Sequence, residues 1–289
     1  MPPGGPQTLL DVLRKAEGFL CEKLELDRAA ARLDAQVLLA AVLGCDRVRL
    51  YMDFDRPLSE GELDRYRELV RRRAGHEPVA YLVGEREFWS LPIRVDRRVL
   101  IPRPDTETLV EWAVDLFRDR ALECFADVGT GSGCLACALA QQFPGARGTA
   151  VDRDADACSL AAENLARLGF DGRVDVRCGD LLQPVEGRAD LLVANLPYIP
   201  SGELASLPAD VRGHEPLGAL DGGPDGLATL RRMVSSACAH LRPGGWLLLE
   251  VGAGQAEAVA RLCRQAGLGA VETRRDLAGL ARVVGACLP

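Results

Sequence analysis

Residues Asn195-Leu196-Pro197-Tyr198 follow directly on the largely apolar run 189–194, which has the composition of a buried strand. An asparagine amide, a proline turn and a tyrosine ring therefore stand together at a strand's carboxyl end, where open α/β sheets bind ligands. The Asn195 side-chain oxygen and nearby backbone carbonyls can accept hydrogen bonds from an NH2 group, and the Tyr198 ring can stack on a planar group. This chemistry predicts a holder for an amide or amino nitrogen; the alternative is a plain turn that ends the strand.

A glycine-rich turn precedes this segment in the chain. The strand-like residues 125–128 run into Gly129, Gly131 and Gly133, and the apolar, alanine-rich segment 134–142 follows. A strand, glycine turn and helix in this order let the backbone approach a ligand closely and present unpaired N–H groups and the positive end of a helix dipole. Alone, such a turn is a weak signal for a nucleotide-like ligand.

Acidic residues end the next two predicted strands. Asp152 follows the run 148–151, about where an acidic side chain binds a ribose hydroxyl pair in nucleotide-binding folds, and Asp180 follows the run 174–178. Together with Asp127, which precedes the glycine turn, these acids lie at three successive strand ends. The combination predicts an adenosine pocket.

Two cofactor classes fit an adenosine pocket, the dinucleotides and S-adenosyl-L-methionine. The dinucleotide fingerprint is G-x-G-x-x-G, which places a pyrophosphate on the helix. Here the order is Asp-x-Gly-x-Gly-x-Gly, from Asp127 to Gly133, and nothing else obviously neutralises a pyrophosphate. An acid at this place suits a ligand that carries an ammonium and a sulfonium, which favours S-adenosyl-L-methionine and methyl transfer.

With these motifs in place, the chain resembles a known family, the HemK/PrmC protein glutamine N5-methyltransferases. The segments that carry the resemblance are 77–84, 87–89, 101–107, 127–133, 195–199, 215–223, 250–252 and 276–279. Together they are far more specific than any one motif. The resemblance implies an α/β class I methyltransferase with a Rossmann-like, doubly wound sheet. It also implies a partner and a reaction, the modification of the glutamine in the Gly-Gly-Gln loop of peptide chain release factors.

The resemblance further implies which residues form the site, and it implies no metal. The catalytic group would be Asn195, Leu196, Pro197 and Tyr198. S-adenosyl-L-methionine would be bound by Asp127, Gly129, Thr130, Gly131, Ser132, Gly133, Asp152, Asp180, Leu181 and Asn195. The substrate would be bound by Phe88, Arg103, Glu107, Asn195, Pro197 and Tyr198.

One position departs from the family, which usually carries Asn-Pro-Pro-Tyr where this chain has Leu196 second. In the family the Asn side-chain oxygen and the carbonyl of this second residue hold the amide nitrogen, and a leucine still supplies that carbonyl without the fixed φ of proline. Tyr198 and Phe88 would sandwich the amide. Arg103 and Glu107 would order the pocket, with a purely structural ion pair as the alternative.

Nucleic acid is the rival substrate class, because Asn-Leu-Pro-Tyr also resembles the corresponding element of rRNA adenine dimethyltransferases. An adenine N6-methyltransferase is therefore one alternative, and a glutamine methyltransferase of a ribosomal protein is another. The 35 Lys and Arg against 42 Asp and Glu give a net charge of −7, which provides no overall positive field for a phosphate backbone. Arg71, Arg72 and Arg73 could form a local basic face, although arginines at a helix end more often complement the helix dipole. No nucleic-acid partner is expected.

The sequence also indicates the cellular compartment of the protein. No apolar run reaches membrane-spanning length and residues 1–6 lack a signal-peptide pattern, which predicts a soluble, cytoplasmic chain without a membrane partner; we expect a monomer. The ten cysteines are scattered through predicted strands and helices, so we expect reduced thiols. Cys134 and Cys137 match Cys-x-x-Cys, but with no second pair or nearby histidine they are interpreted as packing residues.

The elements that must position these residues fall into three predicted regions. Residues 1–74 have helical periodicity and a capping box from Ser59 to Glu62, which predicts a small substrate-recognition domain. Residues 75–98 alternate as a hairpin would and form a predicted linker. In residues 99–289 strands and helices alternate, which predicts the methyltransferase domain, a closing hairpin from its last two strands, and a loop, 201–224, that forms a substrate-side wall.

Overall fold

A computed structural model describes residues 7–276 and 278–289. Residues 1–6 and Leu277, on which the signal-peptide expectation and part of the segment 276–279 depend, lie outside the described residues. The described chain forms two compact units. One unit contains the residues up to Gly84 together with 208–214, and the other contains 85–207 together with the described residues from Glu215 to Pro289.

The helices and strands of the described chain alternate after an all-helical start. The helices are α1 (Leu9–Leu24), α2 (Arg28–Leu43), α3 (Arg47–Met52), α4 (Glu60–Ala74), α5 (Val79–Val83), α6 (Glu107–Leu116), α7 (Cys134–Gln142), α8 (Ala155–Leu168), α9 (Ala209–His214), α10 (Ala228–His240) and α11 (Ala256–Gln265). The strands are β1 (Glu85–Phe88), β2 (Leu91–Arg94), β3 (Cys124–Val128), β4 (Arg147–Asp152), β5 (Val174–Cys178), β6 (Ala189–Ala194), β7 (Leu241–Glu250), β8 (Gly269–Arg275) and β9 (Ala281–Cys287).

Local signals set the ends of the helices in the amino-terminal unit. Ser59 and Glu62 exchange the two hydrogen bonds of a capping box at the start of α4, as predicted. Leucines that recur on one face of α1 and α2, such as Leu20 and Leu38, are fully buried in the core of this unit. Burial of this apolar stripe is what holds such short helices together in water.

The three consecutive arginines at the end of α4 are engaged in ion pairs. Arg72 makes two hydrogen bonds to Glu77, of 2.8 and 2.7 Å, and Arg73 donates to Asp34 at 2.7 Å with its side chain only 10% exposed. Arg71 pairs with Glu68. Acids therefore neutralise this cluster, which argues against a nucleic-acid-binding face there.

A mainly parallel sheet forms the centre of the larger unit. Within the described residues its strand order is β5-β4-β3-β6-β7-β9-β8, with β3 to β7 parallel and β9 antiparallel to both neighbours. The chain starts in the middle, moves to one edge and then crosses to the other, so the sheet is doubly wound, and the predicted closing hairpin is confirmed. The carboxyl ends of β3, β4, β5 and β6 meet at one edge of the sheet.

The predicted hairpin before this sheet is also present. Phe88 pairs with Leu91, so the loop between β1 and β2 has two residues, Trp89 and Ser90, with φ of 52° and 60°. Two positive φ values are typical of the type I′ turn, which matches the twist of the flanking strands. Trp89 and Ser90 lack the Asn-Gly signature of such turns. The hairpin was therefore predicted from the alternation of apolar and polar residues in its strands.

The segment 201–224, predicted as a loop, contains less irregular structure than expected. It contains 3-10 turns at Ser201–Ser206 and Leu217–Ala219 and the short helix α9. Pro200, Pro208 and Pro216 each come directly before one of them. Proline has a fixed φ and no N–H, so it stands well at the start of a helical turn, where an N–H would lack a partner.

The described residues contain no helix that is long and apolar enough to cross a membrane. All ten cysteines are free thiols. Cys134 and Cys137 are buried, and burial raises the pKa of the Cys134 thiol to about 12. Their role is therefore packing of α7, as predicted, because a neutral buried thiol is a poor nucleophile and a poor ligand.

Candidate active site

A pocket lies at the carboxyl edge of the parallel strands. The predicted residues that line it are Arg103, Gly129, Thr130, Gly131, Ser132, Asp152, Asp180, Leu181, Asn195, Leu196 and Pro197. Residues predicted for the site that do not line it are Phe88, Glu107, Asp127, Gly133 and Tyr198. Five segments that are separate in sequence thus meet in one concavity, four of them at strand ends, as the strand-end argument predicted.

The glycine turn crosses the floor of this pocket. The N–H groups of Gly129 and Thr130 both donate to the carbonyl of Val151, at 2.8 and 2.9 Å, which ties the turn to the neighbouring strand β4. Gly129 has a φ of +74°, and a Cβ on it would lie 2.8 Å from Leu196 Cδ2. A side chain is therefore excluded at Gly129 both by its backbone conformation and by the leucine that packs on it.

Leu196 has a structural role beyond the carbonyl predicted for it. Its side chain is 3% exposed and belongs to the core beneath the pocket. Packing against Gly129 joins the Asn195 segment to the glycine turn. The rigidity that a proline would supply through its ring is thus partly replaced by side-chain burial.

Asp127 holds the glycine turn from behind. Its Oδ2 accepts hydrogen bonds from Thr130 Oγ1 at 2.6 Å and from the N–H of Ala136 at 3.1 Å. The side chain is fully buried, and burial raises the pKa of its carboxyl to about 7 against those two hydrogen bonds. Oδ1 has no hydrogen-bond partner among the described residues. Asp127 therefore acts on the turn directly and carries one unsatisfied acceptor.

Asp152 and Asp180 lie in the pocket wall itself. Asp152 accepts hydrogen bonds from the N–H of Gly131 at 2.9 Å and of Asp154 at 3.0 Å, which fixes its carboxylate at the end of β4. Asp180 pairs with Arg232 of α10, which also lines the pocket. The sequence reasoning missed Arg232, since nothing in its neighbourhood marks it as more than a solvated helix residue.

Asn195 is held by a chain of hydrogen bonds. Its Nδ2 donates to Thr106 Oγ1 at 3.1 Å, and Thr106 Oγ1 donates to Glu250 Oε2 at 2.6 Å. The other oxygen of Glu250, Oε1, accepts from the hydroxyl of Tyr198 at 3.3 Å. Glu250 therefore links Tyr198 to Thr106, and through Thr106 to Asn195.

Thr106 and Glu250 were not predicted as site residues. A threonine just before a helix often caps it, but the Thr106 hydroxyl makes no cap hydrogen bond to α6 and instead donates to Glu250. Glu250 is 1% exposed, and burial raises the pKa of its carboxyl to about 7, against the hydrogen bonds from Thr106 and Tyr198 and the charge of Arg282. The signal that could have found it is its position at the end of a predicted strand, as for the other acids.

Arg103 and Glu107 do not pair with each other. Arg103 makes an ion pair of 2.5 Å with the buried carboxylate of Glu215, while Glu107 accepts a hydrogen bond from the N–H of Trp89 at 2.9 Å. Arg103 thus lies in the pocket wall, and Glu107 supports the tip of the β1–β2 hairpin. Phe88 is 1% exposed, so the structure places its ring in the core and outside the lining of this pocket.

Asn164 is a further residue that the sequence reasoning missed. It is fully buried on α8, where its Nδ2 donates to the carbonyls of Ser132 at 2.8 Å and Arg94 at 3.0 Å, and its Oδ1 accepts from the N–H of Arg94 at 2.9 Å. One side chain therefore fastens the glycine turn to β2. Gly133 lets α8 approach equally closely, since a Cβ on it would meet Ala161 Cβ at 3.2 Å.

The polar groups that the pocket offers are mainly oxygen acceptors, because the N–H groups of Gly129, Thr130 and Gly131 already donate within the protein. Among the described residues there is no cluster of His, Cys, Asp or Glu that could hold a metal ion. Acceptors at Asp152 and Asp180 suit hydroxyl and amino groups, and the glycine turn lets a ligand lie against the backbone. Asn195 lines the same pocket, and its side-chain oxygen is a further acceptor.

Comparison with known proteins agrees with this arrangement. The family profile of the PrmC N-terminal domain matches residues 11–84, and that of the methyltransferase small domain matches residues 109–206. The catalytic domain of hMettl16, solved with a MAT2A 3′UTR hairpin, superposes with a TM-score of 0.60 at 17% identity, covering 73% of this chain and 81% of that chain. A methyltransferase from Pyrococcus furiosus gives a TM-score of 0.50 at 18% identity, covering 68% and 88%. These likenesses show the class I methyltransferase fold.

Curated relatives extend the similarity over nearly the whole chain. The release factor glutamine methyltransferase of Geobacter sulfurreducens is 45% identical over 279 residues, which cover 96% of each chain. The protein of the same name from Bradyrhizobium diazoefficiens is 42% identical over 260 residues, covering 89% of this chain and 88% of that protein. The two family profiles, the fold and the sequence identity of these relatives all agree. The chain therefore belongs to the release factor glutamine methyltransferase family.

Proposed function

We propose that this protein transfers a methyl group from S-adenosyl-L-methionine to the side-chain amide nitrogen of the glutamine in the Gly-Gly-Gln loop of peptide chain release factors. The observation that carries the proposal is the orientation of Asn195. Its Nδ2 is committed to Thr106, so its Oδ1 is the end that remains for a ligand in the pocket that Asn195 lines. An acceptor in this place selects a substrate nitrogen that bears hydrogens.

The pocket residues fit the cofactor. Asp152 stands at the end of β4, where a carboxylate can accept hydrogen bonds from both ribose hydroxyls, and Asp180 offers an acceptor at the end of β5. Behind the pocket lining, the buried carboxyl of Asp127 has an Oδ1 without a hydrogen-bond partner, and the positive charge of a ligand in the pocket would favour its ionised form. When bound, S-adenosyl-L-methionine supplies an electrophilic methyl group on a sulfonium.

The protein's part in the reaction is to aim the amide nitrogen and to stabilise its charge. A glutamine amide is a poor nucleophile because its lone pair is delocalised into the carbonyl. Asn195 Oδ1 and the Leu196 carbonyl would accept the two N–H hydrogens, and such positioning can contribute several kcal/mol, about 7 or more in favourable cases. The same acceptors favour the positive charge that grows on the nitrogen as it gains the methyl group. The methylated nitrogen then releases its extra proton to solvent.

A protein substrate is favoured over the alternatives by charge and by kinship. The net charge of −7 provides no overall attraction for a phosphate backbone, and acids pair with the arginine cluster Arg71, Arg72 and Arg73. The relatives that are 38–45% identical over most of the chain are named for release factor glutamine rather than for adenine or a ribosomal protein.

The test is incubation of the purified protein with S-adenosyl-L-methionine and a release factor, followed by mass spectrometry of the tryptic peptide that contains the Gly-Gly-Gln loop. We expect one added methyl group on the glutamine. A release factor with that glutamine changed to alanine must stay unmodified. Parallel incubations with RNA, DNA and ribosomal proteins use labelled cofactor. Labelling of one of these and not of the release factor would overturn the proposal in favour of that class.

A further inference from the structure

A continuous row of side chains connects the pocket to a buried acid. Asn195 Nδ2 donates to Thr106 Oγ1 at 3.1 Å, and Thr106 Oγ1 donates to Glu250 Oε2 at 2.6 Å. Thr106 and Glu250 are both 1% exposed, so water does not compete for these hydrogen bonds. Thr106 lies at the edge of the pocket, and Glu250 lies behind it, outside the pocket lining.

The chemistry of these groups allows one hydrogen-bond direction when Glu250 is ionised. A carboxylate can only accept, so the single hydroxyl proton of Thr106 goes to Glu250. The Thr106 oxygen is then an acceptor toward Asn195, and Nδ2 is the end of the amide that can donate to it. Oδ1 is thereby turned to the pocket.

Protonation of Glu250 removes this constraint. A carboxylic acid can donate to Thr106 Oγ1, whose proton is then free to be donated to Asn195. The amide would turn its oxygen toward Thr106 and its NH2 toward the pocket. An NH2 group cannot accept a hydrogen bond from a substrate N–H, so this orientation repels the amide nitrogen that is to be methylated.

We propose that Thr106 and Glu250 are positioning residues that set which end of the Asn195 amide faces the substrate nitrogen. This inference rests on the proposed function, since it assigns the direction of the same amide. Tyr198, whose hydroxyl donates to the second oxygen of Glu250 at 3.3 Å, is held by the same acid. One buried carboxylate thus orders two of the predicted catalytic residues.

The groups around Glu250 determine the pH range. Arg282 of β9 faces it and pairs with Asp105 at 3.1 Å and with Asp276 at 3.0 Å. Burial raises the pKa of Tyr198, and the pKa of Arg282 is also raised. The pKa of the nearby Cys134 thiol is raised to about 12. With its pKa raised to about 7, Glu250 is the member of this group that titrates between pH 6 and 9. Methyl transfer should therefore increase as the pH rises through 7.

The first experiment compares Thr106→Val with Thr106→Ser in steady-state methylation of a release factor. Valine has the same shape but no hydroxyl, whereas serine keeps it. We expect kcat to fall by about 100-fold in Thr106→Val and by less than about threefold in Thr106→Ser, because misplacement of a positioning group has such an effect. KM for the release factor and the calorimetric Kd for S-adenosyl-L-methionine should change little. An unchanged kcat in Thr106→Val, or an equal loss in the serine variant, would overturn the inference.

The second experiment measures kcat against pH for the wild type and Glu250→Gln. We expect the wild-type rate to fall below about pH 7 and the variant to be slow and insensitive to pH, since its side chain does not titrate. Asp127 also has a pKa raised to about 7, so Asp127→Asn is measured as well. If the dependence disappears in Asp127→Asn and persists in Glu250→Gln, Glu250 does not set the orientation.

A readout without turnover separates the inference from the proposed function. The side-chain amide of Asn195 gives proton–nitrogen resonances that we expect to move between pH 6 and 9 in the wild type and not in Glu250→Gln. If the wild type fails to methylate a release factor but these resonances move, the proposed function alone is wrong. Resonances that stay fixed in an active wild type would refute the positioning role.

Discussion

The guanidinium of Arg103 lies 2.5 Å from the carboxylate of Glu215, a residue 112 positions further along the chain. Glu215 also accepts a hydrogen bond from the N–H of Ile101 at 3.2 Å, and its side chain is 1% exposed. The ion pair therefore ties the segment around Pro102 to the segment that begins at Pro216, and both of these prolines line the pocket. This part of the pocket wall therefore depends on a contact between two segments that are far apart in sequence.

Arg103→Ala should destabilise the larger unit because it removes a cation from a buried carboxylate. Fully buried pairs lose about 3–5 kcal/mol when one partner is removed, and the loss here should be smaller because the Arg103 side chain is 36% exposed. Urea denaturation at neutral pH measures it. In the double variant Arg103→Ala/Glu215→Gln the buried charge is gone as well, so part of the stability should return. A double variant that is less stable than Arg103→Ala would show that the pair is not the source of the loss.

Asn195→Ala should abolish transfer while cofactor binding stays nearly intact. Removing one preorganised hydrogen-bonding group from an active site typically costs about 100- to 1000-fold in kcat. Single-turnover methylation of a release factor measures the transfer, and isothermal calorimetry measures the cofactor Kd. An equal loss of both properties would mean that Asn195 holds the cofactor rather than the substrate amide.

Asp152→Ala should have the reverse effect, a weaker cofactor complex. The carboxylate lines the pocket and is fixed by the N–H groups of Gly131 and Asp154, so alanine removes both the ligand's acceptor and a support of the glycine turn. Lost hydrogen bonds to a charged group are worth about 1.5–3 kcal/mol, which corresponds to roughly a 10- to 150-fold higher Kd. Asp175→Ala, at an exposed acid that does not line this pocket, is the matched control. Calorimetry that gives the wild-type Kd for Asp152→Ala would contradict the adenosine pocket.

Asp127→Asn should flatten the pH dependence of stability in the acid range. The Asp127 pKa is raised from 3.8 to about 7 by burial, so between those values the folded state holds a proton that the unfolded state has lost. The stabilisation is complete below pH 3.8 and is lost as the pH rises through 7. One such proton makes the free energy of unfolding fall by about 1.4 kcal/mol per pH unit. Urea denaturation between pH 4 and 8 should show this decline reduced in Asp127→Asn relative to the wild type, and parallel curves would contradict the shift.

Ser90→Gly should stabilise the hairpin that precedes the methyltransferase sheet. Ser90 has a φ of 60° in a two-residue turn, a conformation that costs a side-chain-bearing residue about 1–2 kcal/mol and that glycine adopts freely. We expect the free energy of unfolding to rise by about 0.5–1 kcal/mol, because the unfolded glycine chain is also more flexible. Ser235→Gly, in the exposed face of α10, is the control and should lower it. A loss in both variants would mean that Ser90 is not strained.

Local patterns predicted most of the longer helices and strands, but not the short helices α3, α5 and α9. The capping box of α4, the alternation of β1 and β2, the glycine turn between β3 and α7, and the closing hairpin of β8 and β9 each occupy a few consecutive residues, and each is present. Such signals are read from one segment at a time because backbone hydrogen bonding and φ preferences act over that distance. The parallel arrangement then places the strand-end residues Asp152, Asp180 and Asn195 at one pocket.

The longer strands, the glycine turn and the strand-end residues can therefore be predicted from consecutive residues, whereas the side chains that meet behind them become known only when the elements have packed together. Thr106 lies 89 residues before Asn195 and 144 before Glu250, and their hydrogen bonds have no counterpart in any periodic pattern. The same holds for Leu196 over Gly129, for Arg103 with Glu215 and for Glu107 with Trp89. Contacts of this kind depend on how separate elements pack, because a polar group excluded from water must find its partner wherever the fold brings one within reach.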